Sequence, residues 1–155
     1  MKPQEIAALL SKQFGERILE SKPEDMNPWS AVNPPSILEI CSFIRSDSSL
    51  GMDHLELLGG VDYEDRIEVV YVVYSMTHHH RYTLKCRLPR EAPHLETVES
   101  VWAVANWHER EAYDMFGIVF DGHSDMRRIL CPDDWEGYPL RKDYKAPESY
   151  LDMPV

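Results

Sequence analysis

Basic residues are scarce in this chain: 16 Lys and Arg stand against 27 Asp and Glu, a formal net charge of −11 at pH 7. That excess repels a phosphate backbone, and no Lys/Arg cluster reverses it locally, so nucleic acid is excluded as a partner. Cysteine is equally sparse. Cys41, Cys86 and Cys131 lie far apart and form no CxxC pair of the kind that holds zinc or an iron–sulfur cluster. They read as buried, reduced thiols of a reducing compartment. Long apolar runs are missing too, since none approaches the ~20 residues of a bilayer-spanning helix. The opening Met1-Lys2-Pro3-Gln4-Glu5 has neither the apolar core of a secretory signal nor the Arg/Ser-rich, acid-poor character of a transit peptide. The expectation is a soluble chain on the cytoplasmic side, tethered to any membrane only through another protein.

Familiar catalytic signatures are absent as well. There is no GxGxxG, no Walker loop and no nucleophile elbow, and Gly59-Gly60 alone marks a bulge or turn. His78-His79-His80 cannot converge on one ion from a strand, where adjacent side chains face opposite ways, so a polar turn between strands explains the run. Trp107-His108-Glu109-Arg110-Glu111 lacks the second His of a zinc hydrolase. Glu109, Glu111 and Asp114 do place three carboxylates, with Arg110 among them, on one short helical stretch. Acid/base machinery and plain i,i+4 charge pairing are both open readings of that group.

What is present suits one compact domain: 155 residues, 43% of them hydrophobic. Ile6, Leu9, Leu10 and Phe14 recur at helical spacing over 3–15, with Gly15 as the stop. Residues 21–35 hold Pro23, Pro28, Pro34 and Pro35 and read as an irregular loop anchored by Trp29. Ile37, Ile40, Cys41 and Ile44 then predict a second helix, broken by 46–49. Three strands follow. The first is His54–Val61; the second, Arg66–Met76, is so continuously Val, Ile and Tyr that it should be central and buried on both faces. In the third, His80–Leu88, Tyr82, Leu84, Cys86 and Leu88 alternate with Arg81, Thr83, Lys85 and Arg87, which predicts one wet face. Asn106 and Glu109 have the spacing of a capping box opening a third helix that ends at Gly117. Ile118-Val119-Phe120 suggests a brief last strand.

The fold class is therefore α+β, a small sheet flanked by helices, with an α+β domain over 1–120 and an extended, partner-binding segment over 121–155. That segment is punctuated by Gly and Pro, charged in both signs, and without periodic apolar residues of its own.

The stretch Trp107–Tyr144 carries Glu109-Arg110-Glu111, Asp114-Met115-Phe116-Gly117-Ile118, Gly122-His123, Arg127-Arg128-Ile129-Leu130, Pro132-Asp133-Asp134-Trp135 and Pro139-Leu140-Arg141-Lys142-Asp143-Tyr144. These ordered elements resemble the signature of the C-subunit family of NADH:quinone oxidoreductase, respiratory complex I. Ser124, Tyr138 and Lys145 depart from that family's usual Pro, His and Pro. The resemblance implies a cofactor-free subunit of the peripheral arm of a proton-translocating complex. It would pack against the hydrogenase-like quinone-site subunit and the iron–sulfur subunit beside it, touching the membrane only indirectly. It also implies that the equivalent subunit of a membrane-bound hydrogenase or another quinone reductase is an alternative. A free-standing carboxylate enzyme is the alternative of a different class. Candidate interface residues are Glu109, Arg110, Glu111, Asp114, Arg127, Arg128, Trp135, Arg141, Lys142, Asp143 and Tyr144. Arginine offers bidentate bonds to carboxylates, and Trp and Tyr offer large area with a polar handle. Equally open is that Arg127 and Arg128 only satisfy carboxylates of their own domain.

Overall fold

Helix α1, Pro3–Phe14, begins at a proline whose missing N–H would be unpaired anyway, and it buries Ile6, Ala7, Leu10 and Phe14 on one stripe. Gly15, at φ 55°, ends it. The computed structural model describes residues 1–150 and the backbone of 153–154; positions 151, 152 and 155 of the expected C-terminal segment lie outside the described residues. Helix α2, Ile37–Ser46, follows the proline pair and buries Ile37, Ile40, Cys41 and Ile44, as its spacing predicts. Both helices pack on the same face of the sheet.

That sheet has five strands: β1 (Ile18–Lys22), β2 (Trp29–Val32), β3 (His54–Asp62), β4 (Arg66–Ser75) and β5 (His80–Pro89), in the spatial order β1-β2-β5-β4-β3. Two strands thus lie in or beside the region expected to be irregular. Each is only four or five residues long, too short for a legible period, and each is flanked by turn residues. Strand β2 runs parallel to β5, pairing Ser30 with Leu84 and Val32 with Cys86, so the sheet is mixed rather than antiparallel throughout. Strand β5, not β4, is its centre.

Alternation along β5 holds on the inner face, where Tyr82, Leu84, Cys86 and Leu88 are all buried. On the outer face Arg81 is exposed and Lys85 and Arg87 are half-buried, but Thr83 is buried beside the Pro28 carbonyl that accepts its backbone N–H. Strand β4 departs from expectation. Val69, Tyr71 and Val73 face the core, whereas Val70, Val72 and Tyr74 on the other face are only half-buried.

Helix α3, Ala105–Phe116, starts one residue before the predicted cap, with Val104 as N-cap and no side-chain capping bond. Asn106 instead donates to Glu99, and Glu109 turns inward, so the capping-box reading is corrected. Tertiary partners outcompeted the local motif. Gly117 ends the helix in the left-handed region at φ 70°, as predicted. A small parallel pair, β6 (His94–Glu96) with β7 (Val119–Asp121), sits beside α3, and Ser149–Tyr150 (β8) pairs antiparallel with Met153–Pro154 (β9). His78 and His79 occupy the β4–β5 turn, His79 at φ 53°, and His80 opens β5.

Candidate functional site

Helix α3 directs its polar side chains toward three separate places. Glu109, fully buried, accepts hydrogen bonds from the Thr97 hydroxyl at 2.5 Å and the Val98 backbone N–H at 2.8 Å. Burial pushes its carboxyl up to about 7, against the lowering effect of those two bonds, and nearby Glu99 adds to the rise. His123, whose side chain is also fully buried, lies beside this group. Its Nδ1 accepts from the Asp125 backbone N–H, so the ring hydrogen sits on Nε2, facing the Asn106 carbonyl at 3.1 Å. The next residue, Arg110, donates to the Arg127 and Arg128 carbonyls at 3.3 Å each and lies over the Trp107 ring.

Asp114 is the hub of the C-terminal segment. One carboxylate oxygen accepts the consecutive backbone N–H groups of Ile129, Leu130 and Cys131 at 3.0, 2.7 and 2.8 Å; the other takes Arg128 Nη1 at 2.7 Å. Burial alone would raise this carboxyl. The Cys131 and Arg128 bonds, with those of Ile129 and Leu130, outweigh it and hold the group below the usual carboxylate range. Arg128 then reaches on to the carbonyls of Trp135 and Gly137 at 2.8 and 2.9 Å, so one ion pair fixes two stretches of irregular chain.

Further along, the segment caps α3. The last carbonyls of a helix lack intrahelical partners. Here Leu140 N–H donates to the Met115 carbonyl and Arg141 Nε to that of Phe116 at 2.7 Å, a cation placed at the negative end of the helix dipole. Tyr138 packs so closely over Gly117 that a Cβ there would lie 2.5 Å from its ring. The backbone N–H of Lys142 donates to Asp62, and Arg90 bridges Asp62 and Asp143 at 2.8 and 2.7 Å. Trp135 donates to the Tyr144 hydroxyl.

Of the predicted interface residues, then, Glu109, Arg110 and Asp114 are buried in the domain, and Arg128, Trp135, Arg141 and Tyr144 are half-buried within the segment's own packing. Glu111, Arg127, Lys142 and Asp143 are exposed. Among the described residues, Arg127 pairs with Asp125, two positions before it. Sequence reasoning did not single out Asp62, Arg90, Thr97 or Glu99, because Asp62 and Arg90 are 28 residues apart and Thr97 and Glu99 themselves lie in an unpatterned loop. The three α3 carboxylates do not converge: Glu109 serves Thr97 and Val98, Asp114 serves 128–131, and Glu111 faces outward. Among the described residues, no group of three or more His, Cys, Asp or Glu is placed to hold a metal ion, and no helix is long and apolar enough to cross a membrane.

The chain is similar to known proteins over most of its length. The sequence pattern of the family described as "Respiratory-chain NADH dehydrogenase, 30 Kd subunit" matches residues 30–150. The C subunit of the NADH-quinone oxidoreductase of Chloroherpeton thalassium is 46% identical over 157 residues, which cover 99% of this chain and 65% of the relative. That of Chlorobium phaeobacteroides is 41% identical over 151 residues, covering 95% of this chain and 91% of the relative. The chain thus spans just under two thirds of one relative and most of the other. Among solved structures, a trypsin-resistant fragment of Nqo5 superposes with a TM-score of 0.67 at 27% identity, over 81% of this chain and 99% of the fragment. A chain of the membrane-bound sulfane sulfur reductase, an archaeal respiratory membrane complex, shares the fold at a TM-score of 0.75 and 24% identity, over 94% of this chain and 86% of that one. With the Glu109-to-Tyr144 signature folded into one clasp on α3 and the family pattern matched from residue 30 to residue 150, this chain belongs to the respiratory-chain NADH dehydrogenase 30 kDa subunit family, that of the C subunit of NADH-quinone oxidoreductase.

Proposed function

We propose that this chain is a cofactor-free structural and assembly subunit in the peripheral arm of a proton-translocating NADH:quinone oxidoreductase, on the cytoplasmic side of the membrane. It packs against the hydrogenase-like quinone-site subunit and the iron–sulfur subunit beside it. Electron transfer runs through those neighbours, and this subunit holds them in register. The observation that carries the reading is the clasp: buried groups of α3 order an irregular segment whose outward side chains, Arg127, Lys142 and Asp143, stay exposed. A surface ordered in advance loses less conformational entropy when a partner docks, which is what a segment of this composition needs in order to serve as an interface. The α3 carboxylates, Glu109 and Asp114 buried apart and Glu111 facing outward, give a free-standing enzyme no shared reaction centre.

The test is co-purification of an Arg127→Glu/Lys142→Glu double variant with the membrane complex, with thermal melting of the isolated chain as control. Both side chains point away from the domain, so the melt stays at the wild-type value. An exposed ion pair contributes only ~0–1 kcal/mol, whereas a charge stranded in a desolvated interface costs ~2–5 kcal/mol. Incorporation therefore falls sharply if a partner covers them; full incorporation would refute the docking role of this segment.

A further inference from the structure

Along 69–73 strand β4 turns apolar side chains to both faces, and only those of the inner face are fully buried. Val70 and Val72 turn away from the core, and neighbouring β3 sets Leu57 opposite Val72 and Val61 opposite Glu68. Leu57 is 46% exposed and Val61 39%. An isolated outward valine is ordinary. Here four apolar side chains on adjacent strands form the floor of an open cleft of about 1030 Å³, whose lining extends to Trp29 and to Met26, itself 96% exposed.

The cations around this floor are paired with carboxylates, and Asp25 at its rim accepts a hydrogen bond from the Trp29 indole. Arg81 lies 2.6 Å from Glu56, Lys85 3.4 Å from Glu68, and Arg87 2.9 Å from Glu20. The Lys85 ammonium also rests 4.5 Å above the Trp29 ring, which stiffens that anchor. Each cation of the face thus already has its carboxylate, and the centre matches an uncharged surface. Helices α1 and α2 supply one layer; among the described residues no element supplies the other.

We infer that this open face receives the uncharged apolar stripe of an amphipathic helix from another subunit of the complex, completing a helix–sheet–helix sandwich. The inference rests on the assembly reading above. A second copy of this chain is the poorer match, since each copy carries a net charge of −11. A partner strand would add at an edge, and both edge strands are bulged, β1 between Ile18 and Glu20 and β3 between Leu55 and Leu57. A single helix, ~10 Å wide with side chains, meets the floor across two to three strands.

The full chain is tested inside its native membrane complex. Val72→Lys and Leu57→Asp each lower incorporation at least about tenfold relative to wild type, the loss expected when a central interface contact is replaced by a charge. Thermal melting of the isolated variants stays near wild type, because both positions face outward; if Val72→Lys melts early, the more exposed Leu57→Asp decides. Leu57→p-benzoylphenylalanine, photolysed in the complex, crosslinks to residues of one helix spaced three or four apart. Wild-type incorporation by both variants, a crosslink to a second copy or to a strand, or no crosslink overturns this inference and leaves the assembly reading standing. Absence of the wild-type chain from the complex overturns both.

Discussion

Replacing Asp114 by alanine removes the acceptor of three consecutive backbone N–H groups and the partner of Arg128 in one step. The Asp114 side chain is fully buried and that of Arg128 is 12% exposed, so the pair is not screened as a surface bridge would be. Hydrogen bonds to a charged group contribute ~1.5–3 kcal/mol each, but irregular chain that peels away can return its N–H groups to water. The loss is therefore closer to the ~3–5 kcal/mol of breaking one buried pair than to the sum of four bonds. For a chain of this size that lowers Tm by roughly 10 °C. Amide exchange is the sharper assay: protection at Ile129, Leu130 and Cys131 disappears, while that of β4 and β5 persists. Asp114→Asn keeps the shape and loses the charge, so it falls between alanine and wild type. Because the folded carboxyl lies below its unfolded value of about 3.9, its stabilisation is present above that pH and fades as pH falls through the folded value. Wild type and Asp114→Asn therefore converge in acid. Unchanged exchange at 129–131 together with an unchanged Tm would refute the clasp.

Three further outcomes follow from the same geometry. Glu109 has the opposite sign: its carboxyl is raised to about 7, so the folded state holds a proton that the unfolded state has released, and stability falls as pH rises from about 4.3 to 7. Glu109→Gln flattens that slope in melts recorded from pH 5 to 8 and raises stability at pH 8 by on the order of 3 kcal/mol, read as a higher Tm; a variant less stable than wild type at pH 8 would contradict it. Gly117→Ala meets both a left-handed backbone and the Tyr138 ring, and it costs at least ~2 kcal/mol, read by denaturant melts, with exposure of Tyr138 to iodination. A thiol reagent labels half-exposed Cys131 in the native chain before the fully buried Cys41 and Cys86, whose thiols burial pushes up; early labelling of either core thiol would overturn that order.

Local pattern carried far in this chain. Residues 3–14 and 37–46 could be read as helices because each bears its own apolar stripe and its own stop, and the inner face of β5 follows from alternation alone. The family signature was legible because its residues are close in sequence. Long-range decisions were not. Strands β1 and β2 are too short to show a period, and the parallel pairing of β2 with β5 joins segments more than fifty residues apart. The partners of Glu109 and Asp114 lie in loops, where no spacing rule says which backbone N–H will point inward. The same limit explains β4: composition shows that both of its faces are apolar, but which face meets α1 and α2 is set by sheet order. Sequence by itself determined the helices, the inner face of the central strand, the absence of a local cofactor motif and the kinship. Only the tertiary structure decided that Asp114 is a buried staple for the C-terminal segment and Glu109 one for the 97–98 loop, because burial and hydrogen-bond partnership are properties of neighbours in space.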